Sequence, residues 1–297
     1  MTRSPLFGIA LALAGVLVLT PDTLLMRLSG LSGWAMLAWR GLGMAAVFLI
    51  VWALTARDRR HDLAMLCTGT GAAVVFCQIA NQAFFTLGVA AAPVAIVLFG
   101  VAAVPVFSAV FAWILVREPT HPATWVATLL VLVGIAVAAS GKSVEGVAFD
   151  ATALLGGLAG LGVAAGLAGS FVLIRLTPGL SILLTIGAGS VVSAILGAAL
   201  AGPQALYDGT LLPILLAAFV VLPVAFGAMS RASRHTQAAN VSLILLLETV
   251  LGPMWVWAGV GEAPTPRMML GGAIVVVSLA VFIVITARRS LRAGPTA

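Results

Sequence analysis

Residues 76–85 read FCQIANQAFF and place three carboxamides, Gln78, Asn81 and Gln82, inside an apolar run. The chemistry of an amide is hydrogen bonding. At helical spacing Gln78, Asn81, Gln82 and Phe85 fall on one face. An amide left without a partner in hydrocarbon costs a few kcal/mol, so these three must face a wet cavity, a solute or another helix. The functional reading is that they bind the polar backbone of a zwitterionic or amide-bearing solute, with Phe84 and Phe85 nearby for an apolar side chain. The plainer reading is hydrogen bonding between helices, which is common in membrane bundles.

Three charged residues sit in equally apolar surroundings. Glu248 is the acid nearest the middle of an apolar segment. A buried carboxyl stays neutral unless it is paired. Glu248 is therefore read as a protonatable coupling group, as a partner for a substrate ammonium, or as a hydrogen-bond donor between helices. Arg40 lies roughly 9 Å into its segment at helical rise. It could bind a carboxylate, pair with Asp22, or reach outward to the membrane surface. Asp22 follows Pro21 in LTPDTLL, where proline removes one helical hydrogen bond and predicts a kink suited to a gate. Trp39 and Phe99 lie deep enough to line a cavity. Trp113, Trp125, Trp255 and Trp257 read as interface anchors.

The elements that must position these side chains follow from composition. The 297 residues are 62% hydrophobic and 8% charged, and the mean hydropathy is +1.20. A soluble domain of this size needs far more charge to cover its surface, so the chain reads as a polytopic, all-α membrane protein. The net charge of +6 is carried by basic residues between apolar segments, which suits membrane topology rather than nucleic acid. Cys67 and Cys77, ten residues apart on one expected helix, are too far apart to bridge. The apolar run from Leu6 to Thr20 is read as a retained first span, since another apolar segment follows at Trp34.

Charges, prolines and glycines divide the chain into ten expected spans: 5–27, 34–55, 63–87, 93–116, 122–140, 152–174, 180–201, 210–230, 238–258 and 267–287. With ten spans both termini share one side. That side collects 11 arginines, the opposite side Arg27, Lys142 and Arg267. The asymmetry predicts cytoplasmic termini, because Lys and Arg are retained in cytoplasmic loops.

Two stretches resemble each other. Ala91–Thr120 reads AAPVAIVLFGVAAVPVFSAVFAWILVREPT, and Ala238–Thr265 reads AANVSLILLLETVLGPMWVWAGVGEAPT. Each opens on Ala-Ala, carries a proline mid-span (Pro105, Pro253) and ends on an acid before a proline (Glu118, Glu262). Gly134 and Ser278 follow at matching distances. The pattern predicts a duplicated unit, 1–145 and 146–297. Five spans is an odd number, so the second copy is inverted, an arrangement that places a binding site between the halves near mid-membrane.

These residues resemble the drug/metabolite transporter superfamily in its EamA-type branch. The resemblance rests on small residues before the fourth span (Ala91), a mid-span proline (Pro105), a loop glutamate (Glu118) and a late glycine in the fifth span (Gly134). The second copy repeats them at Ala239, Pro253 and Glu262, with Ser278 in place of the glycine. Trp39-Arg40 resembles the arginine of that family's second span. The resemblance implies a ten-helix, inverted-repeat exporter of the bacterial inner membrane, most similar to exporters of amino acids, aromatic ones included.

The rival classes lack their motifs. There is no HExxH, no Asp-rich cluster for Mg²⁺ and no P-loop, and His61, His121 and His235 fall at span ends or loops. Neither a selectivity filter nor charged rings are visible, although a passive facilitator needs neither. The expectation is a transporter rather than an enzyme. It has no cofactor or metal and no nucleic-acid partner, and a small solute and the lipid bilayer are its partners. It alternates access to a central cavity, and its oligomeric state is left open, a monomer included.

Overall fold

A computed structural model describes residues 5–117, 122–143, 146–149, 151–232 and 238–292. Helices follow in the order α1 Pro5–Leu19, α2 Asp22–Ser29, α3 Gly33–Thr55, α4 Arg59–Leu66, α5 Gly69–Ala91, α6 Val94–Val101, α7 Val104–Val116 and α8 Pro122–Ala139. A short antiparallel hairpin, β1 Ser140–Ser143 and β2 Gly146–Phe149, then leads to α9 Ala151–Leu176 and α10 Ile182–Ala205. The chain closes with α11 Leu211–Leu216, a π-helical turn Ala217–Val221, α12 Leu222–Ala232, α13 Ala238–Val260 and α14 Pro266–Arg292. The hairpin is the one departure from an all-helical architecture among the described residues.

Seven described segments are long and apolar enough to cross a membrane: Phe7–Ser29, Gly33–Thr55, Gly69–Ala91, Val94–Leu115, Ala151–Ile174, Ile182–Ala205 and Leu211–Met229. The expected spans 122–140, 238–258 and 267–287 fall on α8, α13 and α14. Across the spans the outward faces carry large apolar side chains such as Leu54, Phe76, Leu129, Ile195 and Leu212. A surface that apolar is stable only against lipid, and the chain is a multi-pass membrane protein.

Three expected spans are interrupted. The first breaks between α1 and α2 at Thr20–Pro21. Pro21 has no amide to donate to Leu17, and the Thr20 hydroxyl takes that carbonyl instead at 3.0 Å. The fourth breaks at Ala102–Ala103 between α6 and α7, with Pro105 in the first turn of α7, where no intrahelical amide is needed. The eighth carries the π-helical turn. The matched prolines thus differ in effect, since Pro253 lies inside an uninterrupted α13. The third span begins later than expected, at Gly69. Cys67 therefore ends α4 while Cys77 lies in α5, so the two cysteines do not share a helix.

Helices pack where small residues let backbones meet. Gly41 of α3 faces Ser190 and Ala194 of α10, and Gly197 of α10 faces Trp34 and Ala38 of α3, which makes the pair antiparallel. α8 and α14 cross at Gly134, Gly271 and Val275. α9 packs on α5, α6 and α7, and α1 packs on α12 and α13, with α2 against α11 and α13. Gly156 and Gly160 of α9 abut Ala92 and Val97, while Gly162 and Gly166 abut Phe84 and Asn81. The glycine-rich sixth span is therefore a close-packing surface.

These contacts define two ends. At the near end, α3, α7, α9 and α12 finish, and Ala12 of α1 packs with Ala232 of α12. At the far end, α2, α5, α10 and α13 finish.

Candidate functional site in a central cavity

The three interruptions converge. Leu19 and Asp22 flank the first, Val101, Ala102, Val104 and Pro105 flank the second, and Leu222 follows the π-helical turn. All of them line one cavity of about 940 Å³, open mouth included. A broken helix exposes backbone polar groups, which membrane proteins tolerate where the backbone faces protein or a wet cavity. The walls are otherwise mostly apolar, with Met44, Phe171, Phe226, Met229 and Leu245 toward the near end.

Seven of the residues singled out in the sequence line this cavity: Asp22, Arg40, Gln78, Asn81, Gln82, Phe85 and Glu248. Arg40 Nη1 donates to Asp22 Oδ1 at 2.5 Å, with side-chain exposures of 9% and 1%. The pair joins α3 to the first turn of α2, where the helix dipole also favours a carboxylate. The Arg40 guanidinium carbon lies 5.4 Å from the centre of the Phe85 ring, within cation–π range. Of the three readings of Arg40, pairing with Asp22 is the one this geometry realises.

The amides split between the two readings given to them. Gln78 Nε2 donates to Ser170 Oγ of α9 at 3.1 Å, and Gln82 Nε2 donates to Ser190 Oγ of α10 at 2.9 Å. Both therefore tie α5 to its neighbours while lining the cavity. On the acceptor side, Gln82 Oε1 is buried without a hydrogen bond, as is Asp22 Oδ2. Glu248 projects from α13 and is 7% exposed.

Trp39 and Phe99 do not join the cavity wall. Consecutive helical residues point about 100° apart, so Trp39 turns away from the side Arg40 faces. Its Nε1 donates to Leu206 O at 2.9 Å, and its ring meets Tyr207 edge-on at 6.0 Å. Phe99 packs its ring over Gly272 of α14, within a core cluster that includes Ile96 and Val275. Trp255 donates to the Thr20 hydroxyl at 3.1 Å, so it braces the break in the first span besides lying at the surface.

The far end is cross-linked. Arg27 Nε lies 3.0 Å from Glu262 Oε2, and Arg27 Nη2 donates to Ala92 O at 2.7 Å. Glu262 Oε1 accepts from Val94 N, capping α6. One arginine thus ties the end of α2 to the start of α6 and to the segment after α13. Glu118, which the sequence pattern matches with Glu262, lies outside the described residues, as do His121 and His235.

Sequence reasoning passed over Ser170 and Ser190, the partners of the amides. Both stand in glycine-rich runs, GLAGS and GAGS, where a small hydroxyl beside glycines was the available signal. The π-helical turn AAFVV holds neither Gly nor Pro, and no local signal marks it.

No curated protein matches the chain. A solved crystal structure 18% identical to it superposes with a TM-score of 0.64, over 95% of this chain and 97% of the other, which shows a shared fold. In sequence, residues 6–140 match the model of the EamA-like transporter family. That stretch holds Asp22, Arg40 and all three cavity amides, and over it the chain is similar to an EamA-like transporter domain.

Proposed function

We propose that the chain is a secondary transporter, an inner-membrane exporter of small metabolites, amino acids among them, that works by alternating access. The observation that carries this reading is the cavity itself, in which three helix interruptions, a buried ion pair and three amides meet on one apolar-walled space. Such a space holds a solute with a polar head and an apolar body. Closure at the far end through Arg27 and Glu262, with the cavity reaching toward the near end, fits one of the two states that alternating access needs.

The halves 1–145 and 146–297 are read as inverted repeats on the same grounds. Exchanging first for sixth span, second for seventh, and so on carries the most extensive helix pairs onto one another. Second with seventh (α3 with α10) and fifth with tenth (α8 with α14) map onto themselves. Third with sixth (α5 with α9) maps onto eighth with first (α12 with α1). Fourth with sixth (α6 and α7 with α9) maps onto ninth with first (α13 with α1 and α2). This pairing and the arginine asymmetry support a reading of ten spans with both termini cytoplasmic.

Counterflow in proteoliposomes against a panel of amino acids, nucleosides and polyamines tests the function. Saturable exchange supports a carrier, and flux that never saturates would leave a passive pore. Gln78→Ala deprives Ser170 of its partner inside the cavity, and flux at sub-saturating cargo is expected to fall about tenfold with membrane insertion unchanged. Normal flux from that variant removes Gln78 from the site.

Glu248 is assigned the coupling role. The charged groups facing it are Asp22 of α2 and Arg40 of α3, and the other described residues lining the cavity do not ionise. Protons and cargo then compete for its carboxylate, so half-saturating cargo concentration should rise as pH falls. Glu248→Gln is expected to flatten that dependence. A variant with the same pH profile as the parent rules the role out.

A further inference from the structure

The cavity's polar groups are unevenly used. Gln78 Nε2, Gln82 Nε2 and Arg40 Nη1 each already donate a hydrogen bond, to two serines and Asp22. Among the described lining residues, the buried side-chain atoms with no partner at all are both acceptors. Asp22 Oδ2 and Gln82 Oε1 are buried without a hydrogen bond, and both residues line the space. Leaving a buried acceptor unpaired is costly, and a charged one more so, so either side chain gains by turning toward an incoming N–H.

The charges lean the same way. Two acids, Asp22 and Glu248, line the cavity against one base, Arg40, which Asp22 already engages. Asp22 already takes Arg40, so Glu248 stays neutral while the cavity is empty, and an arriving ammonium is the partner that lets it ionise with the charges balanced. A carboxylate brings a negative charge beside two acids and a guanidinium that is already paired. The walls between these groups and the near end are apolar and include Phe171 and Phe226.

From these unpaired acceptors we propose that the site selects its cargo by an ammonium group. The preferred class is a cationic amine with an apolar body, and a carboxylate on the same molecule weakens binding. The ammonium sits among Asp22, Gln82 and Glu248, and the body lies against Phe171 and Phe226. The inference rests on the transporter reading and narrows its substrate class.

The test compares molecules of one shape. Phenethylamine, phenylalanine, 3-phenylpropionate and 2-phenylethanol are titrated calorimetrically into the full chain in nanodiscs. Phenethylamine is expected to bind about tenfold more tightly than phenylalanine, and more tightly still than the alcohol or the acid. Gln82→Leu removes one unpaired acceptor and should weaken phenethylamine severalfold, while Gln82→Glu, which keeps an acceptor there, should preserve its binding or tighten it. These variants leave the Asp22–Arg40 pair intact, so the test survives a failure of Asp22→Asn to fold. Equal or tighter binding of 3-phenylpropionate or 2-phenylethanol overturns the proposal, as does phenethylamine binding that Gln82→Leu does not change. Absence of amine binding alongside saturable counterflow of phenylalanine overturns it too, and leaves the transporter reading standing. Absence of saturable counterflow for all four compounds removes both.

Discussion

Arg40→Ala should lose about 3–5 kcal/mol of stability, because it strands the Asp22 carboxylate inside the bundle. The wild-type pair is 2.5 Å long, and both partners are almost fully enclosed. Removing one member leaves the other's desolvation without compensation, since both side chains are held almost fully out of solvent. The pair also sets the break in the first span, since Asp22 opens α2 immediately after Pro21. Thermal unfolding in detergent reads the loss. The paired variant Asp22→Asn with Arg40→Gln removes both charges together and should recover most of the stability without recovering transport. That contrast separates the structural part of the pair from its part in the cavity. An Arg40→Ala protein as stable as the parent would mean that the pair does not hold α2 against α3.

The second large effect is expected at the crossing of α3 and α10. A Cβ on Gly41 would lie 2.6 Å from Ala194 N and 2.7 Å from Ser190 O, both backbone atoms that cannot move aside separately. Gly41→Leu must therefore push the helices apart, at a cost of about 1–3 kcal/mol or more. Spreading them also shifts Ser190 away from Gln82, so transport should fail in whatever protein still folds. Gly69→Leu is the control, because nothing lies within 4 Å of a Cβ there. Its stability should match the parent's in the same unfolding assay. If both variants behave alike, close approach at Gly41 is not what holds these helices together.

Much of the site was legible because charge and amide groups are rare in this chain. A polar residue in an apolar span has few tolerable places, so Gln78, Asn81, Gln82, Phe85, Asp22, Arg40 and Glu248 could be grouped by type and spacing alone, and all line one cavity. Aromatic residues carry no such penalty. Trp39 and Phe99 are at home in a packed core, and depth along a helix says nothing about which way a ring points. The break at Pro21 was legible from proline chemistry. The break before Pro105 and the continuity through Pro253 were not separable, because both prolines remove the same amide and only tertiary packing decides whether a helix parts there. The later start of the third span turns on Gly71, whose hydrogen sits against the carbonyls of Met65 and Leu66. That contact exists only once α4 has folded back. The serines that hold the amides were hidden for a related reason, since the sequence shows which groups need partners and not where the partners stand.

The proposed transport requires a solute-binding space between the two halves. Phe226→Cys, in a background with Cys67→Ser and Cys77→Ser, measures it most directly, because Phe226 lines the cavity without taking part in its polar network. In membrane vesicles the account predicts that a membrane-impermeant thiol reagent modifies this cysteine from the face on which Arg231 lies, and that saturating cargo suppresses the reaction. A cysteine at 226 that reacts from neither face, or reacts equally fast with and without cargo, contradicts it.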